Sequence, residues 1–348
     1  MPTVPEKTTS DTAMSETMQA WGIKAFGGPE VIEPMTLPRP DPGPGEILIA
    51  VQASSVNPVD YKIRRGDIPF LAPTLPTVLH PDSAGTVAAL GDGVAGFAPG
   101  DRVYAFAGGL AGKQGALADY IVADARLAAP MPPSLDFAAA AALPLVGVTA
   151  WNALIDQAAV GPQHSVLIQG GTGGVGHVAL QLAKARGATV FATVGDDAKA
   201  QTARALGADG VFNYKTDAPK AMATQAPGGA GFDIVFNTPG APAADASVKA
   251  ARFRGQILDI LGEFPSGGPF QTRWLTFTSV FAGRPIVFDV GQEGVGRILR
   301  EITALVEAGR LRPLLDPQRF TFAEAAAAHR HAEFGAPTGK VVLSRRAA

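Results

Sequence analysis

The spacing of hydrophobic residues changes character near residue 137. Before it, short apolar runs alternate with Pro/Gly turns: residues 19–26, 46–53, 83–89, 102–107 and 118–122 read as strands, with turns such as Gly27-Gly28-Pro29 and Pro42-Gly43-Pro44-Gly45 between them. This pattern predicts a β-rich, barrel-like domain. From 137 to 151 the chain is alanine-rich helix interrupted by Pro144. Apolar runs at 165–169, 189–194, 211–214, 233–237, 256–260 and 285–290 then alternate with helical stretches. Six such strands predict a doubly wound parallel sheet, with 285–290 at its edge. Helices are expected at 295–308 and 323–334, an extended stretch at 311–322, and a last strand at 339–343 returning to the first domain.

The centre of this pattern is 165–186. Ser165-Val166-Leu167-Ile168-Gln169 is β-favouring and too short for a helix. Val175, Val178, Ala179, Leu182 and Ala183 recur at the spacing of a helix with one buried face. Between them Gly171, Gly173 and Gly176 fit GxGxxG, in which the glycines give a tight turn, bare backbone against a pyrophosphate, and close helix-on-strand packing. The helix then aims its first N–H groups at the phosphates. Strand, glycine turn and helix together predict dinucleotide binding.

Length and composition narrow the function. At 348 residues two domains are expected. A formal charge of −2 gives no electrostatic footprint for nucleic acid or an anionic membrane. The absence of cysteine removes disulfides, thiolate nucleophiles and cysteine-ligated metals. Residues 1–17 are polar, lack an apolar core and read as a disordered lead-in, so a cytoplasmic location is expected. The apolar stretch 137–151 is too short and too broken to span a membrane.

Nearly the whole chain resembles the medium-chain dehydrogenase/reductase superfamily, in its zinc-free quinone oxidoreductase branch. The motifs are Phe26-Gly27-Gly28-Pro29-Glu30-Val31, Pro42-Gly43-Pro44-Gly45-Glu46, Ser55-Val56-Asn57-Pro58-Val59-Asp60, Gly115-Ala116-Leu117-Ala118-Asp119-Tyr120, Gly147-Val148-Thr149-Ala150-Trp151, the glycine turn, and Gly339-Lys340-Val341-Val342. The resemblance implies an α/β protein: a GroES-like catalytic domain over 18–140 and 292–348, and a Rossmann NADP-binding domain over 141–291. The positions matching the catalytic zinc ligands of zinc-dependent relatives are Asn57, Pro81 and Leu145, which cannot form that ligand set. His80 reads as a hydrogen-bonded loop residue. His329 and His331, two apart on a helix, are expected on different faces and at the surface.

For the cofactor, Asp196 and Asp197 follow the second strand, where an acid can hold a ribose diol or cap the next helix. NADPH-dependent quinone oxidoreductases grip the 2′-phosphate with a serine at the position of Gly195, a lysine at that of Lys199 and a tyrosine at that of Tyr214. The lysine and tyrosine are present, so NADPH is expected. The resemblance also assigns Gly171, Thr172, Gly173, Gly174, Val175 and Gly176 to the pyrophosphate. Thr149, Leu261, Phe288 and Val290 would bound the nicotinamide.

Hydride transfer without a metal requires donors or a cation at the acceptor oxygen. Asn57 offers an amide for substrate or ribose orientation. Lys62 can polarise a carbonyl or be a surface lysine, Tyr61 is a second donor, and Asp60 fixes the loop or pairs with a base. Arg64 and Arg65 read as structural or surface charges. The expected activity is NADPH-dependent reduction of a quinone or an α,β-unsaturated carbonyl by a homodimer paired through the edge of the nucleotide-binding sheet. The alternatives are an enoyl-thioester reductase or a non-catalytic, crystallin-like NADPH-binding protein.

Overall fold

The computed structural model describes residues 16–71, 73–262 and 268–346. The expected lead-in therefore lies outside the described residues up to 15, and Thr17 already belongs to a strand.

The N-terminal half is built on antiparallel sheets. Thr17–Ile23 pairs with Ile32–Pro38 on one side and Thr77–Val78 on the other. The long strand Glu46–Ser55 anchors a seven-stranded sheet: it pairs antiparallel with Asp82–Leu90, Tyr120–Asp124 and Val342–Ser344. The C-terminal strand thus returns to the first domain, as its apolar run predicts. Its pairing brings Lys340 beside the segment that follows Glu46–Ser55.

The second sheet is parallel and six-stranded, in the spatial order Gly210–Asn213, Thr189–Val194, Ser165–Gln169, Phe232–Asn237, Ala251–Asp259, Thr276–Ser279. The order reverses direction at Ser165–Gln169, so the crevice opens at the glycine turn that follows it. Five of its strands match the apolar runs. The sixth corrects the sequence reading: residues 285–290 do not form the edge strand, because Pro285 sits in the first turn of a short helix, Arg284–Val287. Proline presets the helical φ and offers no N–H to a ladder. The edge is Thr276–Ser279 instead.

Pro144 divides the alanine-rich stretch into helices Phe137–Ala141 and Pro144–Trp151. Helix Gln292–Glu307 packs on Pro144–Trp151 and on residues 125–130, burying Val295, Ile298, Leu299, Ile302 and Val306 at helical spacing. Tyr104 fastens the same helix by donating to the Leu299 carbonyl oxygen at 2.5 Å. Among the described residues no helix is long and apolar enough to cross a membrane.

Leu299 is fully buried in this contact. Leu299→Ala is expected to lower the unfolding free energy by about 3 kcal/mol, the cost of lost apolar transfer plus a cavity, read by chemical denaturation.

Candidate active site

The glycine turn has the dimensions its sequence predicts. A methyl group on Gly176 would come within 2.0 Å of the Gly170 carbonyl oxygen and 3.0 Å of the Gly171 Cα, so the helix Gly174–Ala185 can approach the turn only with glycine there. One on Gly171 would meet the Ala192 Cβ at 2.6 Å, whereas Gly173 has only the Gly170 oxygen nearby, at 3.2 Å. Packing thus demands Gly171 and Gly176, and Gly173 presents bare, half-buried backbone. Such a cradle fits a dinucleotide pyrophosphate. Thr172 is buried, and its carbonyl oxygen accepts from the Gly339 N–H at 2.8 Å, tying the turn to the C-terminal strand. Val175 is half-buried beside Gly174.

At the end of Thr189–Val194, Asp196 caps the following helix by accepting from the Lys199 N–H at 2.8 Å. The capping role is thus present in this structure. Gly195 is covered by Tyr214, whose hydroxyl oxygen lies 2.8 Å from where a side chain on Gly195 would begin. Lys199 lies one turn into the capped helix and donates from Nζ to the Ala336 carbonyl oxygen at 3.1 Å. The phenol thus lies beside Gly195, while the Lys199 ammonium rests on the Ala336 carbonyl oxygen.

Facing the turn is a buried polar network that the sequence reading did not assemble. Lys340, two residues before the strand Val342–Ser344, has its Cδ 3.3 Å from where a side chain on Gly174 would begin. Its Nζ donates to the Val56 carbonyl oxygen at 3.0 Å and to Asn57 Oδ1 at 2.5 Å, and pairs with Asp82 Oδ2 at 3.5 Å. Asp82 accepts from Ser55 Oγ at 2.7 Å, Asn57 Nδ2 at 2.8 Å and the Leu145 N–H at 2.7 Å. Asn57 is thus not the free donor its position suggests. Its side chain is 1% exposed, and its two amide hydrogens go to Asp82 and the Ser55 carbonyl oxygen. The signal for Lys340 was present in the sequence, as a lysine directly preceding the buried run Val341-Val342-Leu343.

Two of the positions that match zinc ligands in zinc-dependent relatives, Asn57 and Leu145, both donate to Asp82 here. Among the described residues no cluster of three or more metal-ligating side chains occurs.

Asp60 fixes the loop as expected: its carboxylate accepts from the Asn57 N–H at 2.7 Å, closing a capping box on helix Pro58–Arg65. Burial raises its pKa to about 7. Burial likewise lowers the Lys340 ammonium, against the pull of Asp82 and Asp60.

Behind the network runs a one-directional chain of hydrogen bonds. Ser54 Oγ donates to the Asp82 carbonyl oxygen at 2.7 Å, so toward His80 Nδ1, 3.0 Å away, it must accept. His80 then carries its proton on Nδ1 and accepts at Nε2 from His329 Nε2 at 2.8 Å. His329 Nδ1 in turn accepts from Arg64 Nη1 at 3.1 Å. Donor counting permits only these neutral tautomers. Burial agrees: it lowers His80 to about 3 and His329 well below the ordinary value. His329 is therefore buried, correcting its surface reading. Its helix faces the core at 329 and turns His331 to a half-buried bond with Asp316 at 3.0 Å. Arg64 is structural, fully buried on Glu333 at 2.6 Å.

The remaining residues singled out in the sequence are placed as follows. Lys62 and Tyr61, both half-buried, ride on helix Pro58–Arg65. Burial raises the Tyr61 phenol. Thr149 is buried and donates to the Leu145 carbonyl oxygen at 2.7 Å, which leaves its lone pairs as acceptors. Leu261 is held by its N–H on Asp259 Oδ1 at 2.9 Å, at the end of Ala251–Asp259. Phe288 and Val290, read from sequence as strand residues, lie exposed beyond helix Arg284–Val287.

Comparisons with known proteins agree with this architecture. Residues 43–133 match a family model described as alcohol dehydrogenase GroES-like domain, and residues 174–280 one described as zinc-binding dehydrogenase. The chain is 36% identical over 327 residues to phthioceranic/hydroxyphthioceranic acid synthase of Mycobacterium tuberculosis, covering 92% of this chain but spanning only 15% of that protein's length. It is 32% identical to the chloroplastic quinone-oxidoreductase QR1 of Triphysaria versicolor, covering 91% of this chain and 95% of that one. The NADPH-dependent alkenal/one oxidoreductase of Arabidopsis thaliana is 31% identical, with coverage of 96% and 81%. Among solved structures, an alcohol dehydrogenase superfamily protein from Novosphingobium aromaticivorans superposes with a TM-score of 0.90 at 38% identity, covering 94% and 100%. A mycobacterial protein complexed with NADPH gives 0.83 at 30% identity, covering 94% and 99%.

Two outcomes test this geometry. His80, His329 and His177, the last lowered by burial to about 4, are neutral when folded but titrate near 6.5 when unfolded. Below pH 6.5 the unfolded chain therefore binds more protons at these sites, and stability falls as pH falls, by up to about 1.4 kcal/mol per pH unit for each histidine. Asp60, raised to about 7, works in the opposite sense and offsets one histidine. Chemical denaturation at pH 7 and pH 5 is expected to show this net acid loss, and His80→Asn with His329→Gln is expected to shrink it. Separately, Gly176→Ala is expected to weaken dinucleotide binding at least about tenfold by pushing the helix off the turn, read by isothermal titration calorimetry.

Proposed function

The chain belongs to the medium-chain dehydrogenase/reductase superfamily, and on that premise we propose that it is an NADPH-dependent reductase of quinones or α,β-unsaturated carbonyls that works without zinc. One observation carries the reading. Lys340 lies against the glycine turn at Gly174 and ends on Asn57, so nucleotide cradle and catalytic loop meet within one side chain's length.

In this reading the turn from Gly171 to Gly176 holds the pyrophosphate, and Lys199 and Tyr214 hold the 2′-phosphate. Thr149, Leu261 and the backbone from Phe288 to Val290 bound the nicotinamide. Bound NADPH supplies the hydride. Charge then gathers on the acceptor oxygen, and Lys62 and Tyr61 meet it as hydrogen-bond donors. Asn57 acts as a positioning residue: with its amide committed to Asp82 and Lys340, it fixes the start of the helix that carries both donors. Asp82 and Lys340 neutralise each other in the buried wall. The enolate or quinol oxygen takes its last proton from water or a ribose-linked hydroxyl, so no dedicated acid is required.

A second reading, enoyl-thioester reduction, is favoured by the 36% identity to the acid synthase. A homodimer belongs to the same proposal. Its support is the open edge strand Thr276–Ser279, beside which Trp274 and Phe253 are exposed with ring centroids 5.5 Å apart.

Absorbance at the nicotinamide band, with NADPH or NADH and a panel of quinones, but-3-en-2-one and crotonoyl-CoA, tests the readings together. NADPH is expected to be preferred, Lys199→Ala to raise its KM about tenfold, and Lys62→Ala to lower kcat on the enone about tenfold to a hundredfold. Turnover of crotonoyl-CoA alone would select the thioester reading. Tight NADPH binding with no turnover of any acceptor would move the protein to a non-catalytic role.

A further inference from the structure

The glycine turn is steered by a side chain that its motif does not include. His177 lies on the first turn of helix Gly174–Ala185 and is fully buried. Its Nδ1 lies 3.0 Å from the Gly173 carbonyl oxygen, which can only accept, so Nδ1 carries the ring proton. Nε2 is then a bare lone pair, buried, and no donor among the described residues reaches it. Burial keeps the ring neutral, with its pKa lowered to about 4. A buried acceptor without a donor costs stability, and a leucine of similar volume would not bear that cost. Nor does the Gly173 carbonyl need the ring, since it already accepts the His177 backbone N–H at 3.1 Å.

What the second bond adds is orientation. Several N–H groups of the turn are already spent: Gly170 on Thr193 Oγ1 at 3.1 Å, Gly171 on the Thr193 carbonyl oxygen at 3.0 Å and Gly173 on the Gly170 carbonyl oxygen at 2.9 Å. The helix start offers further donors, because its first N–H groups have no acceptor one turn earlier. Gly174 and Val175 there are half-buried and leave part of their surface open. The Gly173–Gly174 peptide, however, has no Cβ on either side to hinder its rotation. It is trans, so its carbonyl and its N–H point opposite ways. A carbonyl pinned toward the helix by two donors of His177 therefore points the Gly174 N–H outward, in the direction from which a helix start attracts an anion.

We propose that His177 is a positioning residue for the dinucleotide pyrophosphate: its Nδ1–H holds the Gly173 carbonyl and so aims the Gly174 N–H at a phosphate oxygen. The proposal rests on the dinucleotide-binding part of the proposed function and adds to it a residue outside the glycine motif. His177 touches no part of the nucleotide, and its ring stays neutral throughout. The phosphate gains a charge-assisted bond whose donor is set before binding, so the freedom of that peptide is not lost in the complex. Without the ring, the two glycines let the plane turn, and binding must order it.

The experiment compares the whole wild-type chain with His177→Leu, His177→Thr and His177→Val. Threonine and valine have the same shape, but only threonine can donate to the carbonyl four residues earlier, as Thr149 does to Leu145 at 2.7 Å and Thr202 to Ala198 at 3.0 Å. Isothermal titration calorimetry gives Kd for NADP⁺ and NAD⁺, and urea unfolding gives stability. His177→Leu is expected to unfold at no lower urea concentration than wild type. It is expected to bind both dinucleotides about fivefold to tenfold more weakly, by similar factors, because both carry the same pyrophosphate. Valine is expected to match leucine, and threonine to bind within about twofold of wild type. If leucine lowers stability, the isosteric pair decides alone. Wild-type affinity in the variants without a donor, threonine no better than valine, or a loss confined to one of two dinucleotides that wild type binds overturns the role of His177. Binding of neither dinucleotide by wild type overturns the dinucleotide reading, and the role of His177 with it.

Discussion

A buried lysine joins the two halves of this protein. Lys340 is 3% exposed, and its ammonium is taken up by the Val56 carbonyl, Asn57 and Asp82. A charge so enclosed is tolerated only when its partners are in place, and removing one leaves an uncompensated ion in a dry interior. The partners come from the loop after Glu46–Ser55 and from Asp82–Leu90, while the lysine enters from the C-terminal strand along the glycine turn. These segments all belong to the antiparallel sheet, so the ammonium's bonds fix one wall, and that wall meets the other half of the chain through the Leu145 N–H on Asp82, the Lys340 Cδ beside Gly174 and the Gly339 N–H on the Thr172 carbonyl.

The same constraint explains why the polar wall of the cleft is rigid. Asp82 accepts from three groups, Asn57 spends its whole amide, and Asp60 holds the next turn of backbone. Behind them the Arg64–His329–His80–Ser54 chain ends on the Asp82 carbonyl, with each donor matched to one acceptor. Although Asp60 Oδ1 is buried without a partner, the pairing of the other groups specifies one arrangement, since rotation of Asp82 or Asn57 breaks more than one bond. The left-handed backbone at His80, with φ of 77°, is held by contacts on both sides, among them the close approach of Gly109.

Much of this protein was legible in the order of its residues. Ser165–Gln169, the three spaced glycines and the apolar face of Gly174–Ala185 follow from local periodicity and from the steric demand of one close helix-on-strand contact, both short-range. The four inner strands of the parallel sheet could be read because buried strands are continuous apolar runs, and the edge strand Gly210–Asn213 could be read from its own short apolar run. The other edge strand could not. Thr276–Ser279 is exposed on most of its surface and carries no apolar run, while the more apolar Pro285 to Val290 is turned into helix and loop by its proline.

The chemistry of the site divides along the same line. Residue types and spacing predicted a glycine turn suited to a dinucleotide at Gly171 to Gly176, and the family resemblance put Asn57, Pro81 and Leu145 at the zinc-ligand positions and a lysine and a tyrosine at Lys199 and Tyr214. Only the tertiary structure decided that Asn57 is a fastened wall residue, that His329 is buried against His80 from a helix 249 positions away, and that Lys340 is buried on Asn57 and Asp82 with its stem against Gly174. Those facts rest on contacts between distant segments. A side chain's sequence neighbours determine which groups it can offer, but only the packing of the folded chain determines which of them are already bound.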